Sequence, residues 1–350
     1  MEIIALGALL PSVMLVYLIY KLDRFLEPVG SMIAAFLTGM LSPIVTILIS
    51  SQLNMGVTQE LNPWVYSLTM AAAPEELGRM LLLLWVCERW EAVGEPFDCL
   101  VYGATIWAGF AATENILYAI GELKEGGSPI SILSIRASLC TFGHTAWGVI
   151  MGAFVALYRY SEGKPSKWLV RGLLITITLH MLYDGLLMSV HFGHGVLKVI
   201  SAVSVDAFSL ILASVILIRM RVIQGISSEE GEDQLLQTEL FKRHAPDSTA
   251  SLFEILSHMH IGGVFKVVLG MGLTSLGLGL ILNALASSEP IYLVYGALSS
   301  LLGFLAWRSV MRLAFEIHQA TGAELTQSVD MLKSRKSLRI KWPFKRPPSS

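Results

Sequence analysis

The residues best suited to chemistry lie close together, in the stretch Ala71-Ala72-Ala73-Pro74-Glu75-Glu76-Leu77-Gly78-Arg79-Met80-Leu81-Leu82-Leu83-Leu84-Trp85. Glu75, Glu76 and Arg79 stand inside an apolar run long enough to cross a bilayer. An ionisable side chain at the bilayer centre costs roughly 2.5–3.5 kcal/mol on insertion scales, so a cluster of three points to a site more than to packing. On a helix, Glu75 and Arg79 share a face, with the glutamate N-terminal, the better order for pairing. Glu76 turns about 100° away from Glu75. The spacing therefore predicts one carboxylate neutralised by Arg79 and the other facing a polar cavity. Pro74 removes a backbone donor and clashes with the preceding turn, so the helix should kink just before the glutamates. A carboxylate in such dry surroundings can take a proton from water near neutral pH, the first step of a hydrolysis. The structural alternative is an ion pair that only locks two helices together.

Three later stretches offer partners. In Gly103 to Tyr118, the residues Gly103, Trp107, Glu114 and Tyr118 recur at helical spacing, and small residues there allow close helix approach around a buried Glu114. Asn115 brings an amide donor beside it, while Asp98 marks the start of that segment. Thr141-Phe142-Gly143-His144 places a histidine well inside the next segment, ahead of a small-residue face at Gly148 and Gly152. A lone histidine on an apolar helix can equally be a packing residue. In Leu179-His180-Met181-Leu182-Tyr183-Asp184, His180 and Asp184 share a helix face, so the aspartate can orient the ring or counter Arg79. Asp206 either lines the same cavity or partners another polar group, and His258-Met259-His260 is assigned no role.

Positioning these groups falls to a set of apolar segments. Of the 350 residues, 54% are hydrophobic and 15% charged, against about 25% charged in a typical soluble domain. The deficit comes from repeated runs of about 20 residues, the length that spans a hydrocarbon core. We read about nine, near 3–20, 29–50, 63–87, 98–120, 130–158, 168–190, 195–219, 262–286 and 290–311. Lys21 and Arg24, Arg89, then Arg159, Lys164, Lys167 and Arg171 make the odd-numbered loops basic, and the even-numbered ones are not. That alternation predicts an all-α, multi-pass bundle in the cell membrane with the N-terminus outside and the C-terminus cytoplasmic. Its parts are two N-terminal helices over 1–60, a catalytic four-helix core over 61–190 and a seventh helix over 191–220. A polar cytoplasmic loop over 221–260, two further helices over 261–315 and a basic, disordered tail over 316–350 follow. Cys87, Cys99 and Cys140 stand apart and form neither a disulfide framework nor a zinc knuckle. The lipid bilayer is an expected partner, and nucleic acid is not.

The motifs, taken together, resemble the PrsW family of intramembrane proteases, related to the CAAX prenyl protease and bacteriocin-processing group. They are Pro74-Glu75-Glu76-x-x-Arg79, Glu95-Pro96-x-Asp98-x-x-Val101-Tyr102-Gly103-Ala104, Gly109-Phe110-Ala111-x-x-Glu114-Asn115-x-x-Tyr118, then His144 and Leu179-His180-x-x-Tyr183-Asp184. The resemblance covers about residues 60–190 and implies a CAAX-protease-like core in the third to sixth spans. It implies cleavage of a membrane-anchored protein, of the single-span anti-sigma-factor type. It carries over Glu75 and Glu76 as the paired glutamates, Glu114 as the second acid, and His144 and His180 as the two histidines. Arg79 stands where many members have lysine, and Phe110-x-x-x-Glu114 has an acid where the CAAX relatives have histidine.

On this reading Glu75 or Glu76 is the base and Arg79 fixes the other carboxylate. His180 (oriented by Asp184), His144 and Asn115 donate to the oxyanion. No cofactor is then required. A zinc version would use Glu76, His144 and His180, although no His-Glu-x-x-His helix is present. The competing class is a proton-coupled transporter or ion pathway, which tends to show repeated broken helices. Here the polar residues cluster in four consecutive segments without a counterpart elsewhere, which favours an enzyme. A scaffold that keeps the fold without the activity is the remaining alternative.

Overall fold

The computed structural model describes residues 2–53, 62–161, 165–189 and 195–229, all helices and short links with no strand among them. The expected last two helices, the basic tail and nearly all of the 221–260 loop lie outside the described residues.

The first two segments are α1, Glu2–Tyr20, and α2, Val29–Leu53. The third begins as a short α3, Pro63–Tyr66, capped by the Asn62 side chain. It continues as a π-helical stretch over Ser67–Ala72 and becomes α4 at Ala73–Arg89. The kink expected at Pro74 thus takes the form of a widened turn just upstream, where the ladder adjusts to the missing N–H. The fourth segment is α5, Pro96–Lys124, begun by a capping box between Glu95 and Asp98.

The fifth segment, read as one span, is two helices: α6, Pro129–Ser138, and α7, Cys140–Tyr160, broken at Leu139. Periodicity does not register such a break, because both pieces are apolar. The sixth is α8, Lys167–Met188. The seventh, α9, runs Gly195–Glu229 and so enters the stretch expected to be loop, since no proline interrupts it.

α5 is the centre. From Pro96 to Ala112 every residue is buried, the mark of a helix surrounded on all sides. α7 is buried from Gly143 to Leu157. The two cross where a Cβ on Gly103 would lie 2.3 Å from the Gly148 carbonyl oxygen, and one on Gly152 would lie 2.3 Å from that of Cys99. On the opposite side of α5, Gly109 meets the backbone of Phe36 in the same way. Glycine is needed at these crossings because the backbones themselves touch.

Leu6, Val13, Met14 and Tyr17 on α1, and Ile33, Leu41, Ile44 and Ile47 on α2, stay exposed. An apolar outer face of this kind suits lipid and not water. By length and composition, the segments Val29–Ile49, Pro129–Tyr160, Lys167–Met188 and Leu197–Ile218 could each cross a membrane. α4 and α5 carry the acids. At one end of the bundle Gln224 bonds Asp23 at 2.9 Å and also Glu95, and Arg159 donates to the Val93 carbonyl at 3.0 Å. The α1–α2 link, the α4–α5 link and the ends of α7 and α9 therefore share one face.

Candidate active site

Arg79 is the hub. Its guanidinium is fully buried, and Nη2 donates to Glu76 Oε1 at 2.8 Å and to Glu75 Oε2 at 3.2 Å. Nη1 meets His144 Nδ1 at 3.0 Å, and Nε donates to the Glu75 carbonyl at 3.1 Å. The plane lies over Phe110, 3.9 Å from the ring centroid. A fork with several donors can serve two carboxylates and an imidazole at once, which an ammonium cannot do from one point.

The expected division, one glutamate on Arg79 and the other facing a cavity, is corrected. Arg79 engages both, because its Nη2 reaches across the turn between positions i−3 and i−4. The two acids differ in everything else. Glu76 is fully buried and saturated: Oε1 also faces His180 Nδ1 at 3.0 Å, and Oε2 accepts from Trp107 Nε1 at 3.0 Å. Glu75 keeps 13% of its side chain exposed.

The helices bring the other expected groups to the same place. His180, on α8, lies between two carboxylates, with Nδ1 on Glu76 and Nε2 3.2 Å from Asp184 Oδ2. Nε2 is also 3.7 Å from Glu75 Oε2. Trp147 stacks on the ring at 4.6 Å between centroids. Asp184 thus orients His180 and does not counter Arg79. His144, on α7, accepts from Arg79 at Nδ1, so its Nε2–H is left to donate to Glu114 Oε2 at 3.0 Å. The open rim of the cluster is formed by Glu75, Glu114 and Asp184, whose side chains are 13, 18 and 21% exposed.

Asn115 does not join. Its Nδ2 donates to Thr141 Oγ1 at 3.0 Å, and the residue is fully buried. One residue beyond Glu114 on a helix faces about 100° away, so the amide ties α5 to α7 instead of pointing to the rim. Asp206 has no polar partner at either oxygen and packs against Gly143. His258 and His260 lie outside the described residues.

A further residue of the cluster, not among those singled out from the sequence, is Arg136 on α6, which pairs with Glu114 Oε2 at 2.9 Å and lies 3.7 Å from the Tyr118 ring centroid. The rule that singled out Arg79, an arginine within an apolar run, applies to it equally. Trp107 stands on the face already marked with Glu114, but its bond to Glu76 has no signal in the sequence, and Trp147 reads there as an ordinary packing residue.

A metal has a candidate donor set here. Ligand atoms of Glu76, His144 and His180 lie within 4.8 Å of one another. In this arrangement the set does not fit an ion, because Arg79 already engages Glu76 and His144 and both nitrogens of each histidine are taken. An ion would have to displace the guanidinium.

A family model described as PrsW family intramembrane metalloprotease matches residues 27–217. Among curated relatives, a Protease PrsW from Bacillus subtilis is 31% identical over 179 residues, covering 51% of this chain and 79% of the relative. One from Halalkalibacterium halodurans is 27% identical over 190 residues, covering 53% of this chain and 85% of the relative. One from Clostridioides difficile is 26% identical over 186 residues, covering 52% of this chain and 77% of the relative. No solved structure gives a significant match.

Proposed function

The chain belongs to the PrsW family and is an intramembrane protease, and from that premise we propose that Glu75 activates the water that cuts a membrane-anchored protein. The observation that carries this choice is the contrast between the two glutamates. Glu76 has three hydrogen bonds and no exposure, whereas Glu75 borders the open rim beside His180. A base must reach the proton it removes.

In the proposed reaction, Glu75 takes a proton from water as the hydroxide attacks the peptide carbonyl. His180 is held by Glu76 and Asp184, and it serves the oxygen on which charge develops by turning its Nε2–H from Asp184, 3.2 Å away, to the substrate, while His144 holds the Glu114 side of the rim. The proton taken by Glu75 then passes to the leaving amine, so the base ends as it began. Arg79 holds both glutamates in place through its Nη2. Asn115 has no part, since its amide is used by Thr141.

A zinc-dependent version has the family's metalloprotease description in its favour. The occupation of its donors by Arg79 favours the metal-independent reading. A transporter or ion pathway is set aside by the family membership. The substrate we infer is a single-span protein of the anti-sigma-factor type.

The test is reconstitution with candidate single-span substrates, comparing the wild type with Glu75→Gln, Glu76→Gln and His180→Ala. Each variant is expected to lose at least about a hundredfold in cleavage rate. Cleavage by all three at the wild-type rate would overturn the assignment.

A further inference from the structure

A second group of acids gathers at the other end of α5, away from the Glu75–His180 cluster. Asp98 stands in the first turn of α5, sixteen residues before Glu114, or about 24 Å along the helix axis. Asp23 and Glu27 join it from the link between α1 and α2. One carboxylate oxygen from each of the three lies within 4.8 Å of the other two. All three residues are buried, at 4, 5 and 2% exposure for Asp23, Glu27 and Asp98.

The protein holds Asp98 and Asp23 by one oxygen each. Asp98 Oδ2 accepts from the backbone N–H of Gly94 at 2.6 Å and of Glu95 at 2.8 Å. Asp23 Oδ1 accepts from Phe25 N at 3.0 Å and Gln224 Nε2 at 2.9 Å. Glu27 Oε2 accepts from the Tyr102 hydroxyl. Asp98 Oδ1 and Asp23 Oδ2 are buried with no hydrogen-bond partner. Arg221 is near enough for its charge to act on Asp23, yet its own Nη1 is also buried without a partner. Buried carboxylates at such separation repel strongly unless a cation or a shared proton lies between them.

We propose that Asp23, Glu27 and Asp98 bind a hard divalent cation, Mg²⁺ or Ca²⁺. Three carboxylates and no nitrogen or sulfur donor select an ion of that class over zinc. The site lies where the α1–α2 link, the start of α5 and the end of α9 meet. Gln224, which bonds both Asp23 and Glu95, ties α9 to it. A bound ion would clamp these elements at the end of the bundle opposite the Glu75–His180 cluster. The inference does not depend on which residues carry out proteolysis.

The full-length protein in detergent, stripped of divalent ions with chelator and dialysed, provides the test. Thermal unfolding is followed with and without millimolar Mg²⁺ or Ca²⁺. Terbium luminescence is excited through Tyr102 and Trp90, whose rings are 5.7 Å apart. We expect either ion to raise the unfolding temperature by several degrees, and terbium emission that Ca²⁺ displaces. Both responses are expected to vanish in Asp23→Asn and in Glu27→Gln, and to persist in Glu76→Gln. Emission undiminished in both Asp23→Asn and Glu27→Gln overturns the site. Should those variants not fold, the wild type decides alone. A folded wild type with neither a cation-dependent shift nor terbium emission, stabilised only by acidification, would mean that the acids share protons, and the proposal fails.

Discussion

Glu75 and Glu76 are adjacent in the chain and identical in chemistry, yet their surroundings differ. Glu76 Oε1 meets Arg79 and His180, and its Oε2 accepts from Trp107. Replacing it with glutamine puts an amide N–H where a donor already points, and leaves Arg79 with less compensating charge. Glu76→Gln should therefore lose stability of about 1–3 kcal/mol, the cost of unmet buried polar groups, together with activity. Glu75→Gln should lose activity by at least about a hundredfold with its unfolding temperature little changed, because its side chain is partly exposed and shares Arg79 with Glu76. Thermal unfolding beside a cleavage assay separates the two effects. Equal destabilisation by both substitutions would show that the glutamates are not divided as described.

Chelation probes the same side chains. The atoms that zinc would use are bonded to a guanidinium or to carboxylates. Treatment with a strong chelator should leave the cleavage rate within about twofold of the untreated enzyme, against a loss of orders of magnitude when a catalytic zinc is removed. Loss of activity that only zinc restores would return the mechanism to the metal-dependent form.

At the scale of elements, the site depends on how closely α5 and α7 approach. His144 on α7 must reach Arg79 on α4 and Glu114 on α5 together, and the glycines at 103, 148 and 152 set that distance. A Cβ at Gly148 would meet the Gly103 carbonyl oxygen at 2.5 Å and the Trp107 Cβ at 2.8 Å. The first is backbone, so the helices must separate. Gly148→Ala is expected to cost about 1–3 kcal/mol as an overpacking change, and to lower activity through displacement of His144. Gly121 has nothing within 4 Å of its Cβ direction. Gly121→Ala should stabilise the protein by about 0.5–1 kcal/mol, since alanine is the better helix residue where space is free. Denaturation of the two variants side by side checks both signs.

The whole molecule presents apolar side chains outward on α1 and α2, and its polar groups cluster inward. Family membership and these helices make it a membrane protein. The loop charges predict that the α1–α2 and α7–α8 links face the cytoplasm. The three native cysteines are buried, so introduced ones can be read against a silent background. With an impermeant maleimide on intact cells, Glu125→Cys is expected to label. Arg24→Cys and Lys167→Cys are expected to react only after lysis. The reverse pattern would invert the orientation, and labelling of Arg24→Cys and Lys167→Cys from opposite sides would break the shared face of those links.

The chain alone was enough to reveal the helical membrane class and a disturbed helix ladder near Pro74. It also pointed to Glu75, Glu76, Arg79, Glu114, His144, His180 and Asp184 as the groups to watch. The reason is energetic: an ionisable side chain in an apolar run is costly, and that cost is visible in one dimension. What one dimension cannot hold is direction between helices. Whether Asn115 faced Glu114's cavity or Thr141 turned on the rotation of α5 against α7. Which glutamate met the rim turned on Trp107 and His180, which are distant from Glu76 in sequence. The pairing of Arg136 with Glu114, the break at Leu139 and the gathering of Asp23, Glu27 and Asp98 were likewise decided by packing. The sequence by itself determined which charges stand in apolar runs, because burial penalises each one singly. Only the tertiary structure decided which of them neutralise one another, because pairing depends on where separate helices meet.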